Sequence, residues 1–239
     1  MGLGYTGLAG LYSSYPGNTG QMQVKKSSWS PGSIGDEVFR TKFITLPDII
    51  SDWVREHVSL ADCEILDFGC GEGVTALGLA LQHGSSRVVG VDIMSDPDKC
   101  LPMAKKELGL ASLPANLEFH RVTPGALHDG ADRFDIIYSW SVFEHIDPRV
   151  INSVVRQLHE RLRPDGVVFV QIAPLYYSAE GSHLCDYVGE PWGHLLNPEN
   201  VYYDKLVAST TADTGLLDSL WSTYTTLNRI TASGLLRLL

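Results

Sequence analysis

A chain of 239 residues with 44% apolar and 19% charged residues has the composition of a soluble globular protein and can bury the core of one α/β domain. No apolar run approaches the roughly 18 residues that cross a bilayer, so stable membrane insertion is not expected. The formal net charge of −10 argues against nucleic acid as a partner, because affinity for a phosphate backbone rests on Lys and Arg.

The first residues, 1–35, are rich in Gly, Ser, Tyr and Pro without helical or strand period, which reads as a loose arm or a lid. The opening Met1-Gly2-Leu3-Gly4-Tyr5-Thr6 fits the loose N-myristoylation pattern, one that is common by chance. It has neither the charged n-region nor the apolar h-region of a secretory signal. Cys63, Cys70, Cys100 and Cys185 show no C-x-x-C spacing, which with the missing signal points to a reducing, cytoplasmic setting.

Leu46, Ile49, Ile50, Trp53, Val54 and Val58 follow helical spacing, so one face of a helix from Leu46 is expected to pack on the main domain. The pattern then alternates: strand Glu64–Phe68, helix Val74–Gln82, strand Arg87–Asp92, helix Pro97–Leu108, strand Leu117–Val122, strand Phe134–Ser139, helix Pro148–Leu162 and strand Gly166–Ala173. Strand and helix in alternation predict a doubly wound α/β fold with a mostly parallel sheet and helices on both faces. Asp147 is placed to cap the helix that Pro148 opens, and Pro164-Asp165-Gly166 to turn into the fifth strand. After Ala173 the alternation stops. Prolines, glycines, aromatics and histidines over 174–200 predict an irregular functional insertion. Leu220–Leu227 could be extended, and Thr231 could cap a closing helix.

The chemistry concentrates at strand ends. Ile65-Leu66-Asp67-Phe68 runs straight into Gly69-Cys70-Gly71-Glu72-Gly73, and ligands of open α/β sheets bind beyond the carboxyl ends of strands, where glycines allow close backbone approach. The loop therefore reads as a cofactor cradle. Its G-x-G-x-G spacing departs from the dinucleotide G-x-G-x-x-G, since position 74 is Val, which makes a nicotinamide oxidoreductase the second reading. Asp92, closing the second strand, can accept hydrogen bonds from both hydroxyls of a ribose; alone, it could equally cap the next helix.

Together these segments resemble the class I S-adenosylmethionine-dependent methyltransferases: ILDFGCGEG their first motif, VVGVDI the second, FDIIYSWSVFEHI the fourth and LRPDGVVFVQI the end, in the family's order over residues 64–172. The resemblance implies a Rossmann-like sheet, S-adenosylmethionine as cofactor, and Asp67, Gly69 and Gly71 at its methionine end, with Asp92 on the ribose and Ile93 on one adenine face. Cys70, Thr123 and Ser139 complete the expected cofactor contacts. Where the family usually has an acidic residue after the third strand, this chain has Arg121-Val122-Thr123-Pro124-Gly125, so Thr123 or a backbone carbonyl stands in. The implied division is an arm or lid over 1–45, a cofactor-binding α/β domain over 46–173, and an acceptor-side insertion with the C-terminal segment over 174–239. A catalytically silent cofactor-binding module is the remaining alternative.

For a hydroxyl acceptor one base suffices beside good alignment. His145 lies just beyond the fourth strand, and the insertion offers His183 and His194 among carboxylates, Tyr187 and Trp192; all three histidines are candidate bases. The Glu144-His145 pair could instead only brace the following helix. The insertion also resembles, less specifically, a stretch of bacterial methyltransferases of glycan and lipopolysaccharide synthesis, which implies a small-molecule or sugar-type acceptor. His183 with Asp186 could seat a divalent cation, but the spacing is common without one and no metal is expected. The apolar ending Gly234-Leu235-Leu236-Arg237-Leu238-Leu239, with no second strand for the family's closing antiparallel hairpin, predicts either a fragment of a longer chain or leucines buried against the sheet edge or a second subunit.

Overall fold

The structure, a computed structural model, describes residues 31–127, 130–210 and 214–239. The myristoylation pattern and the arm up to residue 30 lie outside the described residues. Two compact units emerge, one holding the chain to Ser139 together with Gln157–Phe169, the other Trp140–Arg156 together with Val170–Leu239.

Five parallel strands form one sheet in the order β3-β2-β1-β4-β5. They are β1 (Glu64–Phe68), β2 (Arg87–Asp92), β3 (Leu117–Arg121), β4 (Phe134–Trp140) and β5 (Leu162–Gln171). β1 lies between β2 and β4, with Asp67 opposite Gly90 on one side and Tyr138 on the other. This is the doubly wound class expected from the alternation: buried Val, Ile and Leu fill the strands because both faces are covered. Four strand limits differ from the sequence reading. β3 stops at Arg121, β4 runs on to Trp140, and β5 opens at Leu162 and ends at Gln171, so that the expected turn falls inside it with Asp165 in the left-handed region at φ +66°. At the amino ends of the strands, Arg87 pairs with Glu64, Glu118 and Asp132, while Arg163 pairs with Glu64 and Asp135.

The first helical segment starts before the expected Leu46. α1 (Glu37–Arg40), capped by the Asp36 side chain on Phe39 N, runs through a wider π turn, Thr41–Thr45, into α2 (Leu46–Val54). Phe39 and Phe43 are fully buried, so the apolar stripe begins earlier than the spacing from Leu46 suggested. Trp53, expected on the packed face, is 59% exposed and rests its ring against Phe169 at 6.0 Å. α3 (Val74–Gln82) meets this segment at Gly78, where an added Cβ would stand 2.2 Å from the Phe43 carbonyl oxygen and 2.7 Å from Pro47 Cγ. A helical Gly→Ala change ordinarily gains about 0.5–1 kcal/mol, but overpacking against backbone costs about 1–3. Gly78→Ala is therefore expected to destabilise the protein, lowering the melting temperature by several degrees; an unchanged or raised value would show that the backbone yields. α4 (Cys100–Leu108) links β2 to β3 and α5 (Ile151–Arg161) links β4 to β5, and Asp147 Oδ1 accepts from Arg149 N ahead of α5.

Beyond β5 the described residues are helical: α6 (Cys185–Val188), α7 (Gly193–Leu196), α8 (Glu199–Ser209), α9 (Thr214–Thr225) and α10 (Ala232–Leu238). The extended segment expected at Leu220–Leu227 is α9 instead. Leu220, Tyr224 and Leu227 stand at helical spacing and are buried with Tyr176, Tyr202 and Leu206, so tertiary packing overrides the strand preference of Thr and Tyr. Thr231 does cap the closing helix, accepting from Gly234 N at 3.0 Å. No antiparallel hairpin follows β5 among the described residues, and of the closing leucines Leu236 is 76% and Leu239 41% exposed while Leu235 and Leu238 are half-buried.

Candidate functional site

The first unit carries the expected cradle at the carboxyl ends of β1 and β2. Gly69, Gly71 and Gly73 all take positive φ, at +81°, +53° and +75°, conformations that glycine adopts without a Cβ penalty. Their surroundings differ. A Cβ on Gly73 would stand 2.3 Å from the Phe119 ring, and one on Gly90 would meet Phe119 at 2.5 Å and Cys70 Sγ at 2.9 Å, whereas one on Gly71 meets nothing within 4 Å. Gly73 and Gly90 thus serve packing, with Phe119 and Cys70 as the floor, while Gly71 faces open space where a ligand can reach the backbone. Burial pushes the Cys70 thiol well up, so it acts as filling rather than as a nucleophile.

Asp92 Oδ2 accepts from Gly71 N and Oδ1 from Met94 N, each at 2.8 Å. The carboxylate braces the loop and the turn after β2, whereas Ser95 and not Asp92 stands at the N-cap of the next helical turn; each oxygen keeps lone-pair capacity for a further hydrogen bond. Asp92→Ala should weaken adenosylhomocysteine binding by about 1–3 kcal/mol, read by calorimetry. A change within the surface-mutation range of about 0.5 kcal/mol would reject the role. Ile93 is 48% exposed beside it, as a residue covering an adenine face would be. Asp67 is 2% exposed and its carboxyl is raised to about 7, chiefly by burial and further by Asp92, against the lowering effect of the Tyr138 hydroxyl. Ser139, 1% exposed, has a hydroxyl with no hydrogen-bond partner among the described residues, an orphan of the kind a bound polar ligand satisfies. Thr123 is exposed in the loop after β3. These features fit the cofactor of the class I methyltransferases: open backbone at Gly71, a carboxylate with spare acceptors, and a buried acid for a cationic group.

The second unit brings together two of the three candidate histidines and adds a residue. The His145 and His183 rings lie edge to face with centroids 5.3 Å apart, and one donor atom from each of Glu144, His145 and His183 falls within 4.8 Å of the others. Burial lowers both imidazoles, His183 to about 4 with a further push from His145 and a partial offset from the Pro174 carbonyl. His183 holds a left-handed φ of +62°, a conformation costly for a non-glycine residue. Glu144 is 3% exposed, its carboxylate has no hydrogen-bond partner from another of the described residues, and burial raises it to about 7 against a partial lowering by its own backbone N–H. Asn228 holds the turn that presents this pair, donating from Nδ2 to the Phe143 and Ile146 carbonyls and from its backbone N to that of Glu144.

His194 lies outside the cluster. Its Nε2 is within 2.6 Å of the Tyr176 carbonyl, and its ring packs against Tyr176 at 4.9 Å beneath Arg229, whose guanidinium covers the Tyr176 ring at 5.1 Å. Asp186, considered with His183 as a cation seat, is exposed, and His183 groups with Glu144 instead. Sequence reasoning gave Glu144 no site role of its own, weighing the Glu144-His145 pair as one possible brace for the following helix. The available signal was a carboxylate inside the apolar run Val142-Phe143-Glu144-His145-Ile146, where an acid is costly without a task.

A parallel sheet ordered 3-2-1-4-5 with a glycine cradle beyond β1 and an acid ending β2 defines a Rossmann-like fold of the class I methyltransferase type. A family described as "Methyltransferase domain" matches residues 44–205, and the chain belongs to it. It is 32% identical over 120 residues to the ubiquinone biosynthesis O-methyltransferase of Pseudomonas putida (strain W619), which covers 49% of this chain and 47% of that protein. The chain spans about half the length of the curated relatives it matches. Among solved structures, an S-adenosylmethionine-dependent methyltransferase from Mesorhizobium loti is 25% identical with a TM-score of 0.42, covering 54% of this chain and 55% of that one. The PH0226 protein from Pyrococcus horikoshii OT3 is 24% identical with a TM-score of 0.44, covering 59% and 63%.

Proposed function

We propose that this chain is an S-adenosylmethionine-dependent methyltransferase acting on an oxygen of a small-molecule or sugar-type acceptor. The observation that carries the reading is the open approach at Gly71 between the buried Asp67 and the partly accessible Asp92. When bound, the cofactor supplies an already activated methyl group on a sulfonium, which leaves the protein to align the acceptor and dispose of its proton. The name of the Pseudomonas relatives supports oxygen as the accepting atom. The buried His145–His183 pair beside Glu144 offers polar groups of the kind a hydroxyl acceptor calls for, which supports the reading. The test is transfer of labelled methyl from S-adenosylmethionine to a panel of phenols and glycosides. Label recovered as an ether is expected; label on nitrogen alone, or binding of NAD in preference to adenosylhomocysteine, would overturn the reading.

Asp67 makes the cradle pH-dependent. With its carboxyl raised from the ordinary 3.8 to about 7, the ligand-free protein binds that proton more tightly than the unfolded chain. Stability from this group is therefore full below about pH 4 and lost as pH rises towards 7. A cationic ammonium at the methionine end favours the ionised form. Affinity for adenosylhomocysteine should consequently rise with pH up to about 7 and flatten above it, with Asp67→Asn weakening binding and removing the slope. A slope that persists in Asp67→Asn would assign it to another group.

A further inference from the structure

We propose that Glu144, His145 and His183 form a binding site for a divalent transition cation of the zinc class. Two imidazoles and one carboxylate offer donor atoms within 4.8 Å of one another, a ligand set that suits zinc and its first-row neighbours, whereas magnesium and calcium take oxygen ligands. The strongest indication is Glu144. It is 97% removed from solvent, and its oxygens have no hydrogen-bond partner from another of the described residues. An ionised carboxylate so placed is costly unless a cation or a proton sits beside it.

His183 Nε2 is likewise buried and without a partner among the described residues. The Pro174 carbonyl, which favours the protonated imidazole, is the other polar group acting on the ring, as an accepting group commonly acts on metal-bound histidines. Zinc–ligand bonds of about 2.0–2.2 Å require the three donors to draw closer together than the 4.8 Å within which they lie. Three protein ligands leave a fourth position, the signature of a reactive rather than a purely structural site. There an acceptor hydroxyl would bind and release its proton more readily. That use rests on the proposed O-methyl transfer, whereas cation binding stands without it.

The experiment is a titration of cobalt(II) into the tag-free, chelator-treated full chain, followed by visible absorption, with zinc and magnesium as competitors. One cobalt per chain is expected, with the intense bands of low coordination, displaced by one equivalent of zinc and not by excess magnesium. Glu144→Gln and His183→Gln should each weaken binding by more than about 10-fold, since even outer-sphere changes cost about 10–100-fold. Adenosylhomocysteine affinity, measured in parallel, reports that the variants are folded. Zinc should also raise the melting temperature of the unaltered chain, which decides the matter if a variant does not fold. Failure to take up cobalt with no thermal effect of zinc, or uptake that survives both substitutions, would overturn the site. Cobalt uptake in a chain that binds no adenosylhomocysteine would uphold this inference while ending the methyltransferase reading.

Discussion

Gly71→Val should reduce adenosylhomocysteine affinity at least ~100-fold while leaving a folded protein, because two penalties act together at one position. The backbone at Gly71 sits at φ +53°, where a β-branched residue is strained by about 1–3 kcal/mol. Its added Cβ meets no protein atom within 4 Å, so the branch projects into the open space proposed for the cofactor. Gly71 N also donates to Asp92, and relaxation of the strained backbone would pull that carboxylate out of place. The comparison with Gly73 sharpens the claim. A Cβ there runs into the Phe119 ring at 2.3 Å, so Gly73→Val is expected to lower the melting temperature first and binding only through it. Calorimetry on folded Gly71→Val showing affinity within about 2-fold of the unaltered chain would remove the loop from the cofactor site.

The glycine loop and the strand that leads into it were legible in the sequence because both are local. Asp67 through Gly73 are consecutive, and the strand that delivers them is a short apolar run whose limits the structure reproduces at Glu64–Phe68. Asp92 was legible for the same reason, as the last residue of the next strand. What sequence could not supply is contact between distant segments. Phe119 lies under Gly73 and Gly90 only because β3 pairs with β2. Tyr138 stands opposite Asp67 only through the β1–β4 register. The acceptor-side histidines show the same limit. His145 and His183 were visible as residue types, but their pairing depends on the chain's return after β5, and His194, equally eligible by composition, is taken by the Tyr176 carbonyl. The helix at Thr214–Thr225 was missed because its Thr and Tyr content favours strands locally, while the buried spacing of Leu220, Tyr224 and Leu227 that selects a helix has force only once Tyr176, Tyr202 and Leu206 are in place.

The histidines also separate by what their loss should do. His145→Ala and His183→Ala are each expected to lower the rate of methyl transfer by about 10²–10⁴-fold, the range for groups that handle a transferred proton, while adenosylhomocysteine affinity stays within about 2-fold. The expectation is the same whether the imidazoles take the acceptor's proton or hold a cation that assists its release, because both roles act on the acceptor and neither on the cradle. The two effects should not multiply. Rings packed 5.3 Å apart around one carboxylate work as a unit, so the double variant should be scarcely slower than the worse single one. His194→Ala belongs to a different class, since its ring is 6% exposed between Tyr176 and Tyr202; its cost should fall on stability, through a cavity and an unpartnered Tyr176 carbonyl. Single-turnover rates and thermal melts of the three variants, with an acceptor identified from the hydroxyl panel, resolve the matter. If His145→Ala and His183→Ala both transfer methyl at the full rate, neither residue handles the proton, and alignment of donor and acceptor alone accounts for the chemistry.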